Sequence, residues 1–136
     1  MQGANDERFR VLLDELERWN RKVNLTAVRD RAQMETLHIA DSLAARPFLK
    51  GRRVLDVGTG AGFPGLPLAI VEPGREFTLL DSNNKKIMCV EHAAALLGLD
   101  NVTAVKARAE DYAPGPRFDT EIARALASLP RRRDRD

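Results

Sequence analysis

The segment that most constrains this chain lies between Arg53 and Gly65, where a short apolar run breaks directly into Gly58-Thr59-Gly60-Ala61-Gly62-Phe63-Pro64-Gly65. Arg53-Val54-Leu55-Asp56-Val57 has the length and apolar content of a buried strand, and a short helix is predicted over residues 66–71 after the glycines. Glycines between a strand and a helix let the backbone turn sharply and come close to a ligand. Pro73-Gly74 then punctuates the chain, and Phe77-Thr78-Leu79-Leu80 reads as a second strand ending in Asp81.

The same alternation continues downstream. Residues 84–97 form a helical pattern with Ile87, Val90, Ala94 and Leu97 on one face and Gly98 where a C-terminal cap belongs. Residues 102–105 read as a third strand. After the loop containing Pro114, Gly115 and Pro116, residues 118–123 read as a fourth and weaker one, because Glu121 interrupts it. Strands separated by helices imply an α/β, Rossmann-like doubly wound parallel sheet, with order 3-2-1-4 expected for four strands.

The first fifty residues carry a different period. Phe9, Leu12, Leu13, Leu16, Trp19 and Val23 recur at three- and four-residue steps over residues 6–24, the mark of an amphipathic helix. Asp30 with Gln33 three residues later resembles a capping box and opens a second helix carrying Met34, Leu37, Leu43 and Ala44, which stops before Pro47. The expected organisation is a helical cap over 1–50, an α/β core over 51–129 and a charged, disordered tail over 130–136.

With 136 residues, 43% hydrophobic and 31% charged, the chain fits one domain with a real core. No run of about eighteen apolar residues occurs and residues 1–10 are charged throughout, so neither a membrane span nor a signal peptide is read, and a cytoplasmic location is expected. The single cysteine, Cys89, cannot form an internal disulfide and has no ligand-spaced Cys or His around it, so no metal is expected. A formal charge of +2 does not demand a nucleic-acid partner, but the basic residues are unevenly spread.

Two nucleoside cofactors compete for the glycine loop. Gly60-Ala61-Gly62-Phe63-Pro64-Gly65 satisfies the dinucleotide spacing, so a nicotinamide or flavin enzyme is one reading. Asp56 favours S-adenosylmethionine, because a carboxylate at the strand end can orient a cationic amino group but repels a pyrophosphate. Pro64 and Pro67 point the same way, since they remove amide donors from the helix start that a pyrophosphate would use. Asp81, nineteen residues beyond Gly62, can accept from both ribose hydroxyls of either cofactor. Glu110, after the third strand, is either a partner for the adenine amino group or a solvated loop residue.

Beyond the loop, Trp19-Asn20, Asn24-Leu25-Thr26, His38-Ile39-Ala40-Asp41-Ser42, Asp56 through Gly65 and Leu79-Leu80-Asp81-Ser82 together resemble the ribosomal RNA small subunit methyltransferase G family, also called glucose-inhibited division protein B. The resemblance runs from about Phe9 to Leu129. It implies cofactor contacts at Gly58, Phe63, Asp81, Ala109, Glu110 and Arg124, which join Asp56, Gly60 and Gly62 from the loop itself, with S-adenosylmethionine as the cofactor. It further implies methylation of a guanine N7 in small-subunit ribosomal RNA. Two departures stand out: Glu121 replaces a usually apolar residue, and relatives continue through further strands and helices where this chain turns into Arg131-Arg132-Arg133-Asp134-Arg135-Asp136. The end is therefore expected to be that of a fragment or of an altered reading frame.

A guanine N7 carries a lone pair and no proton, so alignment and electrostatics suffice and no general base is sought. No Asn-Pro-Pro-Tyr-type loop for an exocyclic amine and no Pro-Cys nucleophile for a pyrimidine is present. Arg124 is a candidate for the methionine carboxylate or an RNA phosphate. Arg18, Arg21, Lys22, Arg29 and Arg31 are candidate phosphate partners, with a solvated helix face as the alternative. His38 and Asp41 read as packed or capping residues on the second helix rather than as catalytic groups.

Overall fold

The computed structural model describes Gly3 and residues 5–112 and 118–123. Four parallel strands, β1 (Arg53–Val57), β2 (Glu76–Asp81), β3 (Val102–Lys106) and β4 (Thr120–Ala123), form one sheet in the order 3-2-1-4. This is the Rossmann-like arrangement expected, and β1 lies inside it, in register with residues 76–80 on one side and with Thr120–Ala123 on the other.

The helix α1 (Asp6–Asn20) buries Phe9, Leu12, Leu13 and Leu16, the expected apolar stripe. It ends four residues before the periodicity suggests. The reason is Asn20, whose buried Oδ1 accepts the backbone N–H groups of Leu25 (2.7 Å) and Thr26 (3.0 Å) and draws the chain off the helix axis. Asp30 caps the next helix, α2 (Arg31–Met34), by accepting the Gln33 N–H at 3.1 Å. This second helix is not the single regular one expected. A π-helical turn, Glu35–Ala40, interrupts it before α3 (Asp41–Leu43), and the Asp41 N–H bonds back to Thr36 five residues away. The wider turn shifts the facing register, so His38 and Ile39 are buried while Leu37, expected in the apolar stripe, stays 46% exposed.

The helices α4 (Gly65–Val71) and α5 (Asn84–Leu97) follow β1 and β2. Asn83 caps α5 by accepting the Lys86 N–H, and Gly98 ends it at φ +67°, the left-handed position read from the sequence. α1 packs on α5 and α3 on α4, so the N-terminal helices share the main core with one face of the sheet. The opposite face has a smaller cluster, Leu55, Val57 and Leu80 with Val105, Tyr112 and Phe118 against them.

The fourth strand forms despite Glu121, which is exposed although it shares a face of the strand with buried Ala123. Its entry is latched to the turn before β1. Asp119 accepts the N–H groups of Arg52 (2.8 Å) and Arg53 (2.9 Å), and these donors, Arg53 first, hold its carboxyl below the usual value. Thr120 Oγ1 donates to the Lys50 carbonyl and accepts its N–H, each at 2.8 Å. Among the described residues no helix is long and apolar enough to cross a membrane. Arg124 and the charged tail lie outside the described residues.

Candidate cofactor site

β1 delivers the chain into the glycine loop at the carboxyl edge of the sheet. The Gly58 and Thr59 N–H groups both donate to the Leu80 carbonyl (2.8 and 2.9 Å), tying the loop to β2. Gly58 sits at φ +71°, and a Cβ there would meet nothing within 4 Å, so its open side faces the cleft. Gly65 is required for another reason: a Cβ would stand 2.7 Å from the Leu79 side chain and 2.8 Å from Asp56, so the start of α4 touches the sheet directly.

Asp56 departs from its expected role. Its carboxylate is fully buried and turned into the loop, where Oδ2 accepts from Thr59 Oγ1 (2.8 Å) and from the Gly65 N–H (3.0 Å). It therefore shapes the loop from within instead of presenting itself at the cleft. The same bonds bear on the dinucleotide reading. The first amides of α4 are already engaged, Gly65 by Asp56 and Leu66 by the Gly62 carbonyl at 2.7 Å, and Pro67 has none to offer. The helix start that a pyrophosphate needs is occupied by a protein carboxylate.

Asp81 ends β2 at the cleft. Its Oδ2 accepts the Gly60 N–H at 2.8 Å and its Oδ1 the Asn83 N–H at 2.9 Å, so the carboxylate is fixed in place, with each oxygen keeping further acceptor capacity. The cleft has a volume of about 350 Å³ and is lined by Val57, Gly58, Leu80, Asp81, Ser82 and the segment from Ala107 to Glu110. That volume falls in the range of small-molecule sites, about 300–1,000 Å³. Gly58, Asp81, Ala109 and Glu110 thus come together as the sequence suggested. Gly60 acts through its bond to Asp81, Gly62 packs on Leu66, and Phe63 is buried against the His38 ring; none of the three lines the cleft. Sequence reasoning missed Ser82, Ala107 and Arg108, which a stricter reading of the carboxyl ends of β2 and β3 points to. A larger groove of about 850 Å³ lies between α1 and the following helices, away from the strand ends where ligands of open α/β sheets bind.

The basic candidates divide into two groups. Arg18 is paired with Glu15 (2.8 Å), and Arg31 with Asp14 and Glu17 (each 2.9 Å), whereas Arg21 and Lys22 are exposed and Arg29, also exposed, donates to the Asn24 amide oxygen at 3.2 Å. Burial would raise the Glu15 carboxyl, but hydrogen bonds from Arg18 and Trp19, with the charges of Arg18 and His92, outweigh it and lower the pKa. Cys89 is buried, and that burial, with Glu15 nearby, pushes its thiol up.

The family model described as GidB, rRNA small subunit methyltransferase G, matches residues 5–133. The chain belongs to this family. Two curated relatives are both named ribosomal RNA small subunit methyltransferase G. The one from Methylococcus capsulatus is 53% identical over 129 residues, covering 93% of this chain and 63% of its own length. The one from Psychromonas ingrahamii is 51% identical over 118 residues, covering 87% of this chain and 57% of its own. The chain therefore spans about three fifths of the length of these relatives. Among solved structures, a precorrin-6y C5,15-methyltransferase from Geobacter metallireducens superposes with a TM-score of 0.53 at 19% identity, covering 62% of this chain and 45% of that one, which shows a shared fold.

Proposed function

We propose that this chain binds S-adenosylmethionine in the cleft at the carboxyl edge of β1, β2 and β3. In this reading it carries the cofactor-binding part of a methyltransferase that modifies N7 of a guanine in small-subunit ribosomal RNA, in the cytoplasm. The observation that carries the cofactor is the join of an open-sided Gly58 with a fixed Asp81 across a cleft of matching size, next to a helix start already taken by Asp56. Asp81 holds the ribose hydroxyls, and Ala109 and Glu110 border the base. The bound cofactor supplies an electrophilic methyl group on sulfur. The chain's own residues then have only to orient it, because an unprotonated guanine N7 gives up no proton and needs no base. Arg124, matching a family cofactor position, is proposed for the methionine carboxylate or a phosphate of the RNA.

The RNA part of the proposal rests on family membership and on the exposed cations Arg21, Lys22 and Arg29. Because the chain spans about three fifths of its relatives, a second reading is a module that binds cofactor or RNA without turnover. Calorimetry with S-adenosylhomocysteine, followed by transfer of a tritiated methyl group to small-subunit RNA with mapping of the modified base, separates the two. Binding with labelled guanine N7 supports the full proposal, and binding without transfer supports the second reading. Stabilisation by NAD in place of S-adenosylhomocysteine overturns both.

A further inference from the structure

The glycine loop is braced from inside the sheet by Asp56 and Thr59. It is also braced from outside, by a residue the proposed chemistry does not use. His38 lies buried on the π-helical turn, and its ring stacks on Phe63 with centroids 4.8 Å apart and planes 23° apart. The ring is itself tethered, with Nε2 3.1 Å from Thr26 Oγ1. Thr26 has little freedom, since its Oγ1 accepts the Val28 N–H (3.1 Å) and its own N–H donates to buried Asn20. Ser42 Oγ donates to the His38 carbonyl at 2.5 Å and steadies the same turn. Phe63 in turn donates its N–H to the carbonyl of Thr59, the residue whose hydroxyl holds Asp56.

A continuous path of touching groups thus runs from Asn20 through Thr26, His38 and Phe63 to the loop that faces the cleft. An apolar side chain would fill the space beside Phe63 without the desolvation cost of an imidazole. What the imidazole adds is a directed bond that fixes the ring's angle, and the π turn is what brings it inward at this register. We propose that His38 is a positioning residue for the glycine loop: locked by Thr26, its ring fixes Phe63 and hence the backbone of residues 58–60, so that the N-terminal helices set the cofactor affinity. This rests on the cofactor reading above, but its mechanical part is measurable without any ligand.

Hydrogen exchange of the loop amides in the ligand-free chain, and calorimetry with S-adenosylhomocysteine, are compared for His38→Ala, Thr26→Val and Ile39→Ala. Ile39 is the matched control, a buried neighbour that lines the groove beside α1. His38→Ala should speed exchange at Gly60 and Gly62 and weaken binding by about tenfold, and Thr26→Val should act in the same direction by about threefold. Ile39→Ala should lower the melting temperature with affinity and loop exchange within about twofold of the parent. If His38→Ala disturbs folding too far, Thr26→Val carries the same comparison with the ring left in place. Loop exchange and affinity in the His38 and Thr26 variants no different from Ile39→Ala would overturn the proposal. Loop exchange that responds in a chain that binds no S-adenosylhomocysteine would keep the bracing role, overturn its link to affinity and reject the cofactor reading.

Discussion

Asp81 and the glycines show how different single atoms can matter for opposite reasons. Asp81→Ala removes the charged acceptor proposed for the ribose, and calorimetry with S-adenosylhomocysteine should show a loss on the order of 1–3 kcal/mol. Unchanged affinity would place the nucleoside elsewhere. Gly58 and Gly65 form a contrasting pair. Gly58→Ala meets no neighbour, so it should cost about 1 kcal/mol of stability from its positive φ while its methyl enters the cleft and weakens binding. Gly65→Ala forces a Cβ to within 2.7 Å of Leu79 and should lower stability by about 1–3 kcal/mol, read as a lower melting temperature, wherever the ligand sits. Equal effects of the two on binding at matched stability would contradict the placement of the cleft. That Gly58, Asp81, Ala109 and Glu110 fall around one cleft was legible in the sequence, Gly58 from the glycine loop, Asp81 and Glu110 from their places after the second and third strands, and Ala109 from the family resemblance. Asp56 was not. A strand-end carboxylate looks the same in one dimension whether it faces a ligand or folds back on Thr59 and Gly65, and only the third dimension decides.

At the scale of elements, the strands and α5 were legible because buried parallel strands and helix ends carry strong local signals, such as Gly98 at the end of α5. The N-terminal helices were legible as helices but not in their boundaries or facing. Asn20 ends α1 through a side chain, and the π turn at Glu35–Ala40 exchanges Leu37 for His38, and neither device leaves a mark in hydrophobic periodicity. The clasp between α1 and α5 was likewise hidden, since it joins residues far apart in sequence. Glu15, 9% exposed, bonds Arg18 and the Trp19 indole N–H, and His92 on α5 lies 2.8 Å away. Its folded pKa is lowered from the ordinary 4.5, so the stabilisation is fully present above that value and is lost as pH falls through the lower folded one. Glu15→Gln should therefore cost on the order of 1 kcal/mol at neutral pH, and thermal melts from pH 7 downward should show the gap from the parent closing in acid. A gap that is constant across that range would mean that the charge of Glu15 does not hold the two helices together.

For the molecule as a whole, charge and sheet topology make separate predictions. The net charge of +2 is too small to attract RNA by itself, so any affinity must come from local clusters, and Arg18 and Arg31 are already paired with carboxylates. The double variant Arg21→Ala with Lys22→Ala should then flatten the log–log salt dependence of RNA binding by about 0.7 to 0.9 for each phosphate that is no longer neutralised. An unchanged slope moves the RNA surface away from α1. Sheet topology gives the sharper test. β1 has a neighbour on both sides, whereas β4, among the described residues, pairs only with β1. In a parallel strand, successive residues point their amides to opposite sides. The Asp119 N–H donates to the Arg53 carbonyl at 2.8 Å, so the same parity turns Glu121 and Ala123 toward β1 and Thr120 and Ile122 away from it. Hydrogen exchange on the monomer should alternate along β4, with Thr120 and Ile122 at least about tenfold faster than Glu121 and Ala123, while residues 54–57 are uniformly slow. An open strand edge recruits other chains, so raising the protein concentration should slow Thr120 and Ile122 selectively if a second copy pairs there. Uniform protection of all four β4 amides in a dilute monomer would mean that another segment of this chain already lies along that edge, and the sheet would then have a fifth strand.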